Sequence, residues 1–119
     1  MSRQRIGLGR RGEELAVEEL QRQGYEIVER NWRCDVGEVD IVARRGLVWA
    51  FVEVRTRRGE AFGTPEESIT PRKRARMRAV AERYMAEHGL QEADGQLLMV
   101  AVEMDRAGRL RRVEVLEVE

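Results

Sequence analysis

Cysteine and histidine are almost absent from this chain of 119 residues, which contains one of each, Cys34 and His88. A single cysteine leaves no partner for an internal disulfide. One thiol with one imidazole also argues against a zinc site built from these ligands. Low cysteine content without disulfides is typical of reducing compartments, so we expect a cytoplasmic protein.

Long hydrophobic runs are absent as well. No apolar run approaches the roughly 18 residues of a membrane-spanning helix, and the first residues lack the apolar segment of a signal peptide. We therefore expect no membrane partner. The length suits a single hydrophobic core, and we expect one domain over residues 1–119, with residues 1–9 as a flexible arm.

Lysine is the third scarce residue, since 21 of the 22 basic residues are arginine and only Lys73 is lysine. The 22 acidic residues balance them, so the net charge gives no indication of a nucleic-acid partner. The distribution of the charges has to decide that question.

The most informative stretch is residues 37–55, GEVDIVARRGLVWAFVEVR, which predicts two strands joined by a turn at Arg45-Gly46. Apolar residues alternate with the period of a strand on both sides of the turn. A two-residue loop at 45–46 pairs residue 39 with 52 and 41 with 50, whereas a four-residue loop places Asp40 opposite Glu53. In either register Asp40 and Glu53 are neighbours on one face, roughly 5 to 8 Å apart at Cβ.

Two close carboxylates on an otherwise apolar hairpin need a compensating positive charge, because they repel each other. One solution is a divalent cation such as Mg²⁺, which takes one or two carboxylates as ligands. The backbone carbonyl of Val54 is a further oxygen ligand beside Glu53, and Arg55 projects from the same face as Glu53. The alternative is a surface hairpin whose acids pair with nearby arginines.

The remaining pattern predicts a helix over residues 10–23, a first strand over 25–32 and a second helix over 71–88, with Thr70 as its N-cap. Strands follow over residues 96–104 and 109–118, the last of them a charged edge strand. A polar loop over 57–67 lies at the mouth of the acidic pair. The order is α-β-β-β-α-β-β, an α/β (α+β) domain with helices packed on a mixed sheet.

Asp40 followed by Glu53-Val54-Arg55 resembles the core of the PD-(D/E)xK, restriction-endonuclease-like nucleases. More closely, the chain resembles the YraN-like family of small bacterial proteins assigned to that fold. The matching pieces span about residues 9–85 and are Gly12-Glu13 with Ala16 and Leu20, Gly24-Tyr25, Arg30-Asn31, Gly37-Glu38-Val39-Asp40, Phe51-Val52-Glu53-Val54-Arg55, Phe62-Gly63 and Lys73.

The resemblance implies a metal-dependent endonuclease, or a protein like the Holliday-junction resolvases, acting on DNA. Asp40 and Glu53 would hold Mg²⁺ or Mn²⁺ and Glu13, an early glutamate of the first helix, would assist them. A branched DNA needs two cuts, so a homodimer is also implied. The alternative for Glu13 is a solvated residue that favours the helix dipole.

Arg55 departs from the family pattern, which usually has lysine at this position. A guanidinium can hold a phosphate but stays protonated and cannot act as a base. Three possibilities follow. Arg55 substitutes for the lysine, Lys73 supplies an amine from the second helix, or the protein binds nucleic acid without catalysis.

A nucleic-acid backbone would meet basic residues of the loop and of the second helix. These candidates are Arg57, Arg58, Arg72, Lys73 and Arg76. The alternative is that they are solvated charges, and a third possibility is an interaction protein whose acids merely pair with arginines.

Overall fold

The computed structural model describes residues 3–59 and 63–118, which form one mixed sheet with a long helix on each face. The elements, in order, are α1 (Arg3–Arg22), β1 (Glu26–Cys34), β2 (Gly37–Arg45), β3 (Val48–Arg58), a 3₁₀ helix (Pro65–Ser68), α2 (Pro71–Glu87), β4 (Asp94–Met104) and β5 (Leu110–Glu117). The predicted fold class and the order α-β-β-β-α-β-β are confirmed.

The strands lie side by side in chain order, from β1 at one edge to β5 at the other. Three of the four strand pairs are antiparallel, and β3 and β4 are parallel because α2 carries the chain across one face of the sheet between them. The predicted edge position of the last strand is confirmed. The sheet thus places β3 in its centre, where both faces are covered.

Each face of the sheet has its own hydrophobic core. Ala16 and Leu20 of α1 pack on a face built by alternate residues of the inner strands, which are Ile41, Ala43, Ala50, Val52, Leu98, Val100 and Val102. On the opposite face α2 packs through Val80, Ala81 and Tyr84 against residues that include Val42 and Phe51. The buried stripe predicted for the second helix is thereby confirmed, with Met77 partly buried beside it.

Helix α1 approaches β3 closely at Gly12. A Cβ atom built on Gly12 would lie 1.9 Å from Oγ1 of Thr56, a distance that no real pair of atoms tolerates. Glycine is therefore required here for space. The contact brings the first half of α1 over the part of β3 that follows Glu53.

The start of α2 follows the predicted capping pattern. The Thr70 hydroxyl accepts a hydrogen bond from the N–H of Lys73 at 3.1 Å, and Pro71 occupies the first helical position, where its missing N–H costs nothing. The cap fixes the first turn of the helix, and with it the backbone that carries Lys73.

The structure differs from prediction at the N-terminus and in the loop. Helix α1 begins at Arg3, so the predicted helix start at residue 10 is wrong and residues 3–9 are helical. The flexibility expected of residues 1–9 stays a prediction. Gly7 and Gly9 favoured a loose segment, but a helix extends at little cost once its packed part has formed. Residues 1–2 lie outside the described residues.

The predicted loop over 57–67 is also shorter than expected. Strand β3 continues through Arg58 because β4 pairs with it over its whole length, and a 3₁₀ helix occupies Pro65–Ser68. Residues 60–62, including Phe62, lie outside the described residues. In the described part of the chain, no helix is long and apolar enough to cross a bilayer.

Candidate active site

The β2–β3 hairpin brings Asp40 beside Glu53, whose charge acts on it. The loop of the hairpin is Gly46-Leu47. The ladder runs from Arg45–Val48 to Ile41–Val52, and its register aligns Asp40 with Glu53 just beyond the last pair. The predicted loop at 45–46 is wrong by one residue, and its pairing of 41 with 50 is wrong by two. The observed register is that of the predicted alternative, which aligns Asp40 with Glu53. Gly46 takes the first turn position with a φ of 63°, where a type II′ turn requires glycine. Because a shift of two residues keeps each side chain on its face, the two acids remain neighbours.

Strand β2 changes faces at Asp40. Ile41 packs in the core under α1, whereas Val39 packs with Val42 and Val80 in the core under α2. Sequence alternation predicted Val39 on the same face as Ile41, and that is wrong. Asn31, which lies opposite Asp40 in β1, has a φ of 55°, so both strands leave regular geometry at the same point.

The irregularity gives the Asp40 side chain a structural partner in β3. Its Oδ2 accepts a hydrogen bond from the main-chain N–H of Val54 at 2.7 Å. Strand β2 makes its first regular pair with β3 one residue later, at Ile41. The Asp40 carboxylate thus takes the place of a backbone acceptor where the two strands part. None of the described arginines, nor Lys73, forms an ion pair with it.

Glu53, in contrast, is paired with two cations. Its Oε1 lies 3.0 Å from Nζ of Lys73 on α2 and 3.1 Å from Nη2 of Arg55 on its own strand. The Glu53 side chain is only 14% exposed, so these pairs are poorly screened by solvent. Lys73 and Arg55, the two alternatives for the lysine of the family pattern, therefore share one carboxylate.

The electrostatic environment disfavours ionisation of both acids. Burial raises the pKa of Asp40 to about 7, helped by the negative charges of Glu53, Glu13 and Glu38 and opposed by the Val54 N–H. Burial also raises the pKa of Glu53, which Arg55 lowers and Glu38 raises. Two carboxylates whose environment resists negative charge form a site that favours an added cation.

Two open clefts, one on each face of the sheet, meet at Asp40. The α2-side cleft has a volume of about 420 Å³ and is lined by Arg33, Cys34, Gly37, Glu38, Asp40, Glu53, Lys73, Arg76 and Met77. The α1-side cleft has a volume of about 360 Å³ and is lined by Gly9, Glu13, Asp40, Val54, Arg55, Thr56 and Arg57. The change of faces at Asp40 is what gives one carboxyl group access to both.

Glu13 reaches the site from α1. Its Oε1 accepts hydrogen bonds from Arg30 Nε at 3.0 Å and Asn31 Nδ2 at 3.1 Å, and its charge contributes to the raised pKa of Asp40. Arg30 also binds Glu14 at 2.6 Å. Arg30 and Asn31 of β1 therefore hold the Glu13 carboxylate in a position where its charge acts on Asp40.

Residues 12–118 match the uncharacterised protein family UPF0102. The chain belongs to the UPF0102 family. UPF0102 proteins of Acidothermus cellulolyticus and Moorella thermoacetica are 49% and 46% identical to it, over 92% of this chain in both cases and over 86% and 91% of the relatives. A UPF0102 protein of Nocardia farcinica is 55% identical over 67% of this chain and 63% of the relative.

The predicted YraN-like family is thereby confirmed, while membership of the nuclease superfamily stays a prediction. The names of these relatives give the family alone, so the geometry and charges of the site are what bear on the function of this UPF0102 protein.

The UPF0102 site contains most, but not all, of the predicted residues. Glu13 and Arg57 line the α1-side cleft, and Lys73 and Arg76 line the α2-side cleft. Arg72 is exposed on α2 and lines neither cleft. Arg58 donates from Nε and Nη2 to the carbonyl of Arg106 at 3.1 and 2.8 Å, which ties the end of β3 to the turn before β5.

Sequence reasoning gave no site role to Arg33 and Glu38, which line the α2-side cleft. Their side chains pair with each other at 2.9 Å across β1 and β2. Glu38 belongs to the Gly37-Glu38-Val39-Asp40 stretch that carries the family resemblance. The only sequence signal for Arg33 was its position before the turn that enters the hairpin. The two guanidinium Nε atoms of Arg55 and Arg57 are buried and have no hydrogen-bond partner among the described residues. They present unused donors beside the acids.

The donor set of the UPF0102 site suits a hard cation that keeps much of its water. Among the described residues, no group of three or more His, Cys, Asp or Glu side chains is placed to hold a metal ion. A pair of carboxylates with a neighbouring backbone carbonyl fits Mg²⁺, which commonly takes one or two carboxylates and several waters. It does not fit an all-protein cage of the kind that structural Zn²⁺ requires.

Proposed function

We propose that this UPF0102 protein is a nuclease that hydrolyses phosphodiester bonds of DNA with the help of Mg²⁺ or Mn²⁺. The observation that carries the proposal is the opposed pair of Asp40 and Glu53, half-buried between two clefts. The pKa of Asp40 is raised to about 7, and the pair is flanked by cationic side chains. Acids with a perturbed pKa in an open cleft are typical of functional sites, and Asp40 has no cationic partner in the described part of the chain to give it a purely structural role.

The cation would be held by the carboxylates of Asp40 and Glu53 and by the carbonyl of Val54. Such an ion would supply Lewis-acid chemistry for a bound phosphodiester and its attacking water. Asp40 supports this assignment more strongly than Glu53 does. Its carboxylate accepts one N–H from Val54 and has no cationic partner in the described part of the chain. Glu13, held by Arg30 and Asn31, adds negative charge on the other side of Asp40 and strengthens the attraction for a cation.

Lys73 supplies the ammonium group in this proposal, in place of a lysine at position 55. Its Nζ already lies at the acidic pair, 3.0 Å from Glu53. An amine can give up a proton and take one back, whereas a guanidinium cannot. The role of Lys73 is therefore to orient the attacking water, to help remove its proton and to stabilise the charge that develops on the phosphate. Arg55 holds Glu53 and offers its remaining donors to a phosphate oxygen.

The nucleic acid would approach through the two clefts. Arg76 and Arg33 on the α2 side and Arg57 on the α1 side line the same clefts as the acidic pair and provide positive charge for a phosphate backbone. A four-way junction needs two cuts, so a branched substrate would require a homodimer. Linear, flapped and branched DNA are therefore distinct arms of the test.

A second function is supported by a separate observation. Lys73 and Arg55 together neutralise Glu53, so half of the acidic pair has counter-ions without any metal. A protein with this arrangement can bind nucleic acid through its arginines and perform no hydrolysis. This alternative and the nuclease predict the same binding but opposite behaviour with Mn²⁺.

Cleavage of labelled linear, flapped and four-way DNA in Mg²⁺ or Mn²⁺ tests the proposal. The parent should cut at least one substrate, and Asp40→Asn and Glu53→Gln should each abolish cutting while binding persists. Asp94→Asn, which removes an exposed carboxylate at the start of β4, serves as the matched control and should cut normally. Binding without metal-dependent cleavage in the parent and in Arg55→Lys would support the non-catalytic module instead.

A further inference from the structure

A cluster of arginines lies beyond the α1-side cleft, where the turn between β4 and β5 meets the end of β3. We call it the end patch and define it as Arg11, Arg58, Arg106, Arg109 and Arg111. Arg11 comes from α1 and Arg58 from β3, while the other three belong to the turn and the start of β5. The patch is therefore assembled from distant parts of the chain and depends on the fold.

Two guanidinium groups converge on the turn in the end patch. Arg11 Nη1 donates to the carbonyl of Gly108 at 2.5 Å, and Arg58 donates twice to the carbonyl of Arg106. A Cβ atom built on Gly108 would lie 3.6 Å from Nη1 of Arg11 and 3.7 Å from Nη2 of Arg58. The guanidinium groups of Arg11 and Arg58 thus lie close together at Gly108, and the groups that they bind there are neutral carbonyls. Because these carbonyls do not neutralise the two positive charges, the position favours binding of an anion.

The surface next to this point is a cleft of about 370 Å³. The described residues that line it are Gly59, Asp105, Arg106, Ala107, Arg109 and Arg111. Three of these are arginines and Asp105 is the one acid. The Asp105 carboxylate accepts the main-chain N–H of Arg109 at 2.8 Å, so it serves to shape the turn. The cleft is therefore concave and strongly basic.

We infer that the end patch binds the phosphate backbone of the nucleic acid on which the Asp40–Glu53 pair acts, an inference that rests on the proposed function. Guanidinium groups bind phosphate oxygens through paired, directed N–H donors, and here several are presented together. Arg57 lines the α1-side cleft and Arg58, the next residue of β3, belongs to the end patch, so both surfaces lie at the same end of β3.

Strand geometry sets the distance between the patch and the reaction centre. Val54 and Arg58 are separated by four residues of β3, which span about 13 Å. The end patch therefore contacts the backbone at phosphates about 13 Å from the one that lies at Asp40.

The test compares a double variant of the patch with a charge-matched double variant elsewhere. Arg106→Gln with Arg109→Gln removes two exposed charges of the patch and leaves Arg11 and Arg58 in place. Arg22→Gln with Arg44→Gln removes two charges at the hairpin end of the sheet, roughly 30 Å away along β3. All proteins carry Asp40→Asn and are measured without metal, so that binding is separated from hydrolysis.

The measurement is the dissociation constant for a duplex of about 20 base pairs at several salt concentrations. Each phosphate contact contributes about 0.9 to the slope of log K against log salt, so the patch variant should lose about 1.8 from the slope. The control variant should bind like the parent. Equal losses in both variants would mean that net charge matters and the patch does not, which overturns the inference.

Two further outcomes separate this inference from the proposed function. If the parent binds DNA and the patch variant keeps its full slope, the patch serves another partner, such as an acidic protein, and the inference is wrong while the nuclease proposal stands. If no protein binds DNA at low salt, the proposed function fails and the inference fails with it. Thermal denaturation of both double variants shows whether either has lost its fold.

Discussion

The ammonium nitrogen of Lys73 lies 3.0 Å from Oε1 of Glu53, although the two residues are on different elements that meet only in the folded chain. Thr70 caps the helix turn from which Lys73 projects, and β3 presents Glu53 from the centre of the sheet. The single lysine of the chain thus reaches the acidic pair, whereas position 55 carries a group that cannot exchange protons.

Replacement of Lys73 should separate its role from that of Arg55. Under the proposed function, Lys73→Met should lower the cleavage rate roughly 10²- to 10⁴-fold, the usual contribution of a positioned proton-transfer group. Lys73→Arg keeps the charge but should remain impaired, because a guanidinium cannot transfer a proton. The measurement is the single-turnover rate in Mn²⁺.

The double variant Lys73→Met with Arg55→Lys tests whether an amine at position 55 can replace the amine of Lys73. It restores an amine on β3, and we expect it to recover part of the lost rate. If Lys73→Met cleaves as fast as the parent, Lys73 has no part in the reaction and is present only to neutralise Glu53.

The raised pKa of Asp40 predicts a pH-dependent stability. The pKa of this group is about 7 in the folded protein and about 4 in the unfolded chain, so ionisation favours unfolding. The resulting loss of stability is absent below about pH 4, grows between pH 4 and 7 and is complete above pH 7. Three pKa units correspond to at most about 4 kcal/mol.

Asp40→Asn should remove this loss, because an amide oxygen can still accept the Val54 N–H and carries no charge. We therefore expect the metal-free variant to unfold at higher denaturant concentration than the parent at pH 8 and to match it near pH 4. Added Mg²⁺ should stabilise the parent at pH 8 and leave the variant unchanged. A variant less stable than the parent at pH 8 would show that the carboxylate is not under electrostatic strain.

Gly12→Ala should disrupt the packing of α1 on β3. The new methyl group meets Thr56 Oγ1 at 1.9 Å, and overpacking of this kind costs about 1–3 kcal/mol. Gly9→Ala is the matched control in the same helix, since a Cβ there meets nothing within 4 Å. It should raise stability by about 0.5–1 kcal/mol through helix propensity.

A second substitution at Thr56 identifies the clash. Thr56→Ala removes the hydroxyl and should recover part of the stability that Gly12→Ala has lost, as measured by urea unfolding. Equal stability of Gly12→Ala and Gly9→Ala would mean that the helix shifts freely on the sheet. The close approach would then have no importance for the site.

Thr70→Ala should reduce stability by about 1 kcal/mol, the usual value of an N-cap hydrogen bond. Thr70→Ser retains the hydroxyl and should be nearly neutral. Because the cap holds the first turn of α2, we also expect the alanine variant to cleave more slowly than the serine variant. Identical rates would indicate that Glu53 alone positions Lys73.

The fold was largely predictable from the sequence because its signals are local. Thr70-Pro71 predicts the start of α2, because a threonine hydroxyl caps the first turn and proline suits the first helical position. Gly89 predicts its end, because glycine readily adopts the positive φ that follows a helix. The proximity of Asp40 and Glu53 was predictable for a similar reason. Any register that buries the apolar face keeps the two acids together. A shift of two residues in the pairing register therefore leaves Asp40 and Glu53 as neighbours.

The rest could not be predicted because it depends on contacts between distant elements. The change of faces at Asp40 requires Asn31 on the neighbouring strand to adopt a positive φ, and no local pattern in β2 signals it. The pairing of Glu13 with Arg30 likewise joins a helix to a strand. Arg58 was expected to meet a phosphate beside the acidic pair, but its side chain binds a turn almost fifty residues further along the chain and belongs to the end patch.

The change of faces in β2 also determines which substitutions the strand tolerates. Val39, Ile41, Val42 and Ala43 are all buried, so hydrophobic residues are needed on both sides of the sheet within five consecutive positions. A saturation scan of this segment should therefore lack the every-second-residue rhythm of an ordinary half-exposed strand. It should instead show one hydrophilic position between neighbours that tolerate only hydrophobic residues. Variation at position 40 would be limited both by the proposed binding of a cation and by the hydrogen bond to the Val54 N–H.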